Sequence, residues 1–156
     1  MNLLAVVEKA IASDLLASSL VVLPESGASV DLVVDLEETL GFPLSPGYKE
    51  FLARWNGANL DVVRVHGIAS GSSGIPSAWP FTSYAVAGLV VASDPSGFIY
   101  VEAPDHTIHV VDHDGGAKRV IAPDFSAFMT QVVFGSGARH FLGEEWFREL
   151  KSRGFV

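Results

Sequence analysis

Ser45-Pro46-Gly47-Tyr48-Lys49-Glu50-Phe51-Leu52-Ala53-Arg54-Trp55-Asn56-Gly57 spells out one helix with both ends marked. Ser45 can accept a hydrogen bond from a free amide of the first turn, and Pro46 falls at the first helical position, where its missing N–H is no loss. Tyr48, Phe51, Leu52 and Trp55 stand at i, i+3, i+4 and i+7, one apolar stripe. Such a stripe of large side chains reads as core and not as a ligand groove. Asn56-Gly57 tolerates left-handed backbone and reads as the helix stop.

After Gly57 the period changes. Leu60 to Val65 reads as a strand, and Ala69 to Pro80, rich in Ser and Gly, reads as a flexible loop. The short β-branched runs Leu89 to Ala92, Phe98 to Val101, Ile108 to Val111 and Arg119 to Ala122 follow. Asp94-Pro95-Ser96-Gly97, Pro104-Asp105 and His113-Asp114-Gly115-Gly116 separate them, all turn chemistry. A further helix is predicted from Asp124, with Phe125, Phe128, Met129 and Val132 inward. A last amphipathic segment carries Trp146, Phe147 and Leu150. Before the opening stretch, Leu3, Leu4, Val7, Ala10, Ile11, Leu15 and Leu16 suggest a first helix. Ser29 would cap a second, with Val30, Val33, Leu36 and Leu40 buried and Gly41 ending it. Helices, then strands, then helices describe one α+β domain spanning 1–156: a mostly antiparallel meander with helices packed on one face.

The stretch Leu36-Glu37-Glu38-Thr39-Leu40-Gly41-Phe42-Pro43-Leu44-Ser45-Pro46-Gly47-Tyr48 through Phe51, Leu52, Trp55, Asn56 and Gly57 resembles the signature of the SUKH superfamily, the SMI/KNR-like domains. The hairpin at Ser93 to Gly97, the strand ending Val111-Asp112 and the helix with Asp124, Phe125 and Phe128 extend the likeness over about 30–134. The resemblance implies an α+β fold and a domain that is not an enzyme. Many bacterial members look like immunity proteins that bind and neutralise toxins; eukaryotic ones resemble regulators of cell-wall synthesis. Two features depart from the pattern. Phe98 stands where many members place an acidic residue, and the helix before residue 24 lies outside the signature and suggests an accessory surface.

Composition bounds the partner. Of the 156 residues 49% are hydrophobic and 18% charged, so a core forms, and either that core is generous or part of the surface is apolar enough to want a partner. Ten Lys and Arg against 18 Asp and Glu give a net charge of −8. That charge repels nucleic acid and steers a basic protein inward. With no cysteine, thiolate metal sites and disulfides drop out. The first 14 residues lack a basic region and are broken by Glu8, Lys9 and Asp14, against a signal peptide or a membrane span; a cytoplasmic location is expected.

Candidate enzyme features read poorly. His109, Asp112, His113 and Asp114 have ligand chemistry, but alternation on a strand sends His109 and Asp112 to opposite faces, so no metal or other cofactor is expected. A small hydrolase or metal enzyme would need this cluster completed by a distant residue such as His66 or His140. Gly71-Ser72-Ser73-Gly74 has no following Lys and fails as a phosphate loop. The pairs Glu37-Glu38 and Glu144-Glu145 diverge on a helix and cannot converge on one atom. The expected partner is another protein, with a basic toxin domain first and an endogenous protein bound by a regulatory scaffold second. The candidate contacts are Trp79, Asp94, Ser96, Asp112, His113 and Asp114. Trp79 is either folded onto the sheet or free as an anchor. The chain is expected to be a monomer or a weak homodimer through Trp146, Phe147 and Phe155.

Overall fold

The computed structural model describes residues 2–69, 74–83, 86–112 and 118–156. Its centre is α3 (Pro46–Arg54), which begins as the sequence asks: Ser45 Oγ accepts from the Tyr48 amide at 3.3 Å, with Pro46 in the first turn. Tyr48, Phe51 and Leu52 are fully buried and Trp55 nearly so. The rings of Tyr48 and Phe51 meet Phe125 at 4.9 and 5.8 Å, so the stripe docks on the C-terminal helical segment.

A seven-stranded antiparallel sheet lies under it, built from β1 (Ala58–Asn59), β2 (Arg64–Val65), β3 (Trp79–Ser83), β4 (Val86–Ser93), β5 (Phe98–Glu102), β6 (Ile108–Asp112) and β7 (Lys118–Ala122). The order is β1-β2-β4-β5-β6-β7. β3 shares with β2 the side of β4 that faces away from β5, pairing Trp79 with Val90 while β2 pairs Val65 with Ala92. Alternation along each strand makes two faces. Leu89, Val91, Tyr100 and Ile108 join the main core with the helices, while Phe81, Val90, Val101 and Val111 form a smaller cluster. The α+β architecture with helices on one face stands.

Three local expectations are corrected. Leu60 to Val65 is not one strand: Asn59 Oδ1 accepts the Asp61 amide at 2.9 Å, and Asp61 adopts φ 70°. This turn separates β1 from β2. The expected loop at 69–80 ends earlier, because Trp79 and Pro80 open β3; residues 70–73 lie outside the described part. Proline is tolerated there because β3 is an outer strand, with no ladder to feed on its far side.

The third correction concerns α2 (Val30–Leu40). Its caps are as expected, Ser29 Oγ accepting from Leu32 N at 3.3 Å and Gly41 taking φ 81°. Its burial is not: no residue of α2 is buried, and Val30, assigned to the inner face, is 77% exposed. Leu32, Val33, Leu36 and Leu40 pack partly against the core instead.

The remaining helices close the core. In α1 (Leu3–Ala12), Leu3, Val6, Val7 and Ala10 are buried, so the inner side of the segment outside the signature belongs to the core. α4 (Phe125–Ala127), capped by Asp124, runs into a π-helical stretch, Phe128–Val133, where Phe134 N bonds Met129 O at 2.9 Å. The wider turn lets Phe128, Met129, Val132 and Val133 all face inward. α5 (Ala138–Phe141) and α6 (Glu144–Ser152) finish the chain. The C-terminal aromatics expected as dimer contacts are engaged within the chain. Trp146 Nε1 donates to Val133 O at 2.6 Å, Phe155 packs on Phe134, and the Arg139 guanidinium lies 4.1 Å from the Phe147 ring.

Candidate protein-binding surface

Among the described residues four polar side chains are buried: Ser45, His66, Asp94 and Glu102. Each holds the scaffold. Glu102, from the end of β5, accepts from the Ser45 amide at 3.0 Å and from Ser45 Oγ, tying the sheet to the start of α3. Burial raises its carboxyl above the ordinary value, while the Ser45 bonds pull it back. On the neighbouring link Glu37 accepts from Leu44 N at 2.7 Å, so two carboxylates bracket the turn into α3.

His66 follows β2. Its carbonyl accepts from the Tyr48 hydroxyl at 2.6 Å, and its Nε2 meets Ser93 Oγ at 2.9 Å. Nδ1 makes no hydrogen bond. Desolvation therefore dominates and lowers the imidazole to about 4, against a weaker opposing contribution from the Ser77 backbone. The Tyr48 hydroxyl is pushed well above its usual range by burial and by Glu102.

The Asn56-Gly57 pair does more than stop a helix. Asn56 Oδ1 accepts from Ile68 N at 2.7 Å and its Nδ2 donates to Ile68 O at 2.9 Å, a two-point clamp on the chain beyond β2. A side chain at Gly57, which has φ 82°, would meet Ile75 Cγ2 at 2.6 Å and Gly67 N at 2.7 Å.

The candidate contacts do not converge on one spot. Asp94 is 6% exposed: Oδ1 accepts from the Ser96 and Phe98 amides at 2.9 and 3.2 Å, and Oδ2 from the Tyr100 hydroxyl at 2.7 Å. Its carboxylate organises the β4–β5 turn and leaves Ser96 exposed at the tip. Asp112 ends β6 beside that turn, pairing across the sheet with Phe98. Trp79 sits on the small-cluster face, 44% exposed and edge-on to Phe81 at 5.6 Å. Thus it is both seated on the sheet and accessible. His113 and Asp114 lie outside the described residues.

Ser96 and Asp112 border two neighbouring depressions at this end of the sheet. One of about 470 Å³ is bounded by Val62, the β4–β5 turn and residues 139–143 of α5 and its exit. The other, about 260 Å³, has Phe98 and Val110 as its floor and Asp112, Lys118 and Arg119 around it. Arg119 lies 4.8 Å from the Phe141 ring and links the two. The sequence reading missed Arg119, Arg139 and His140 here, since nothing local marks α5 as lying beside the β4–β5 turn. Phe98 was legible, as the residue departing from the acidic pattern.

Of the histidine candidates, those among the described residues stand apart. His109 Nε2 lies 3.0 Å from Thr107 Oγ1, whereas His66 is buried under α3. Among the described residues no three His, Asp or Glu side chains come together as a metal site needs. Nor, among them, is any helix long and apolar enough to cross a membrane.

The described chain is thus an antiparallel sheet with helices on one face, its buried polar groups tied to the scaffold and open depressions at a turn-rich end. The model of the SMI1/KNR4 family (SUKH-1) matches residues 27–131, and the chain belongs to that family. No curated protein and no solved structure matched it.

Proposed function

We propose that this chain is a non-catalytic, cytoplasmic binding domain that neutralises a toxin by direct contact, covering its active site or substrate path. Family membership over 27–131 is the observation that carries the reading. The geometry agrees with it: the buried titratable groups Glu102, His66 and Asp94 serve α3, β2 and the β4–β5 turn, while the accessible chemistry lies on open surface. The charge of −8 favours a basic toxin domain, such as one that attacks nucleic acid, through faster encounter.

A pull-down from native lysate with the tagged domain, at low and then high salt, supplies the partner. The captured protein is then expressed alone and together with this domain. Capture of one basic protein that arrests growth alone but not in the pair is the expected result. Capture of a harmless housekeeping protein would instead make the domain a regulatory scaffold.

A further inference from the structure

α2 keeps more apolar surface in water than a solvated helix needs. Val30 is 77% exposed and Val34 43%. Being four residues apart, they stand in line on one side, while Leu32, Val33, Leu36 and Leu40 hold the other side against the core. At roughly 100° per residue, Asp31, Asp35 and Glu38 fall beside the two valines. All three acids are exposed. The outer face is thus an aliphatic stripe running next to an acidic one.

Helix stability does not account for the acids. Asp31, in the first turn, is favoured by the helix dipole, but Asp35 at the middle of the helix gains nothing from it and Glu38 stands in the last turn, where negative charge is disfavoured. No basic residue stands in the last turn of α2. Among the described residues no ion pair forms with Asp31, Asp35 or Glu38; Lys49 pairs with Glu37 at 3.6 Å. The stretch 25–50 holds six acidic residues against Lys49 alone, and so contributes −5 of the chain's −8. Local propensity and tertiary packing both leave this face unexplained, which is where a contact surface is expected.

We propose that the outer face of α2 docks a basic protein surface, one that sets an aliphatic ridge against Val30 and Val34 and a row of Lys or Arg against Asp31, Asp35 and Glu38. The proposal rests on the toxin-binding reading and names the surface and partner chemistry for it. The valines supply the dry centre of the contact and the acids its register and steering. A second copy is the weaker occupant, because two acidic stripes would face each other.

The probe is an amphipathic peptide of about 14 residues, Leu on one stripe and Lys beside it, with a second peptide carrying Glu for Lys. Both are titrated into the full chain while backbone amide shifts are followed. The expected result is shifts centred on residues 30–38 with the Lys peptide and none with the Glu peptide. Val30→Ser with Val34→Ser, and separately Asp31→Asn with Asp35→Asn and Glu38→Gln, should each weaken binding about tenfold or more. The charge effect alone should fade at high salt. Unchanged circular dichroism keeps misfolding out of the reading.

Shifts centred elsewhere, equal binding of the Glu peptide, or variants that bind as the parent does would overturn the proposal. So would a concentration-dependent dimer that the valine variant abolishes, since that gives the face to a second copy. Binding at α2 without any growth rescue by the domain would sink the toxin reading alone. Rescue without probe binding at α2 would sink this face alone.

Discussion

α2 and α3 are neighbours in sequence, of 11 and 9 residues, and each opens on a serine cap. Read as patterns they are two amphipathic helices of the same kind. In the fold they part company. α3 buries Tyr48, Phe51 and Leu52 completely; α2 buries nothing. The difference lies in the side chains available beyond one stripe. α3 carries aromatic residues on a single face and polar ones elsewhere, so one docking position satisfies it. α2 has apolar residues at 30, 32, 33, 34, 36 and 40, too many for one face, and packing the leucines strands two of the valines. Amphipathicity says that a helix docks; the apolar excess leaves a second face in water.

The sharpest way to break that contrast is in the α3 core. Phe51→Ala should lower unfolding free energy by about 4 kcal/mol, through lost burial and a cavity shared with Phe125 and Trp55. Urea denaturation checks it, and a loss under about 1 kcal/mol would deny α3 its central place.

Next comes the histidine under α3. His66 titrates at about 4 in the fold, below the ordinary value near 6.5, so the unfolded chain takes up its proton first as pH falls. Its contribution is whole above about pH 6.5 and declines by up to about 3 kcal/mol on acidification to about pH 4. Glu102, raised by burial, works in the opposite sense across the carboxylate range, so the test is a difference between parent and His66→Gln. Urea midpoints at about pH 7 and about pH 4.5 should fall further in the parent; equal falls would mean that His66 is not held neutral by burial.

A smaller effect is expected for Tyr48→Phe. It removes the donor to the His66 carbonyl and should cost about 1.5 kcal/mol by thermal or urea melting. The smallest belongs to α2: Val30→Ser with Val34→Ser should change stability by less than about 0.5 kcal/mol. A loss comparable to that at Phe51 would show that α2's outer face is structural after all.

Much of the fold was legible because punctuation and period agreed. Ser45-Pro46, the Tyr48-Phe51-Leu52-Trp55 stripe and the turns around 94–97 and 104–105 each mark an element that the structure contains. β3 was hidden because Trp79 and Pro80 read as loop chemistry, and only pairing with Val90 and Leu89 makes them strand. Val30 misled because a cap and a period cannot say which of two apolar faces wins the core. The candidate surface was harder still. Asp94 has the look of an exposed turn acid, yet three donors draw it inward. Arg119, Arg139 and His140 come together from segments with no local sign of proximity.

The most direct test of the account is rescue from the captured basic protein by chains altered only on α2's outer face. Cells expressing that protein would also receive the parent domain, or the domain carrying Val30→Ser, Val34→Ser, Asp31→Asn, Asp35→Asn and Glu38→Gln together. The account expects the altered domain to be expressed and to melt like the parent, yet to leave the cells unprotected. Protection equal to the parent's would contradict it.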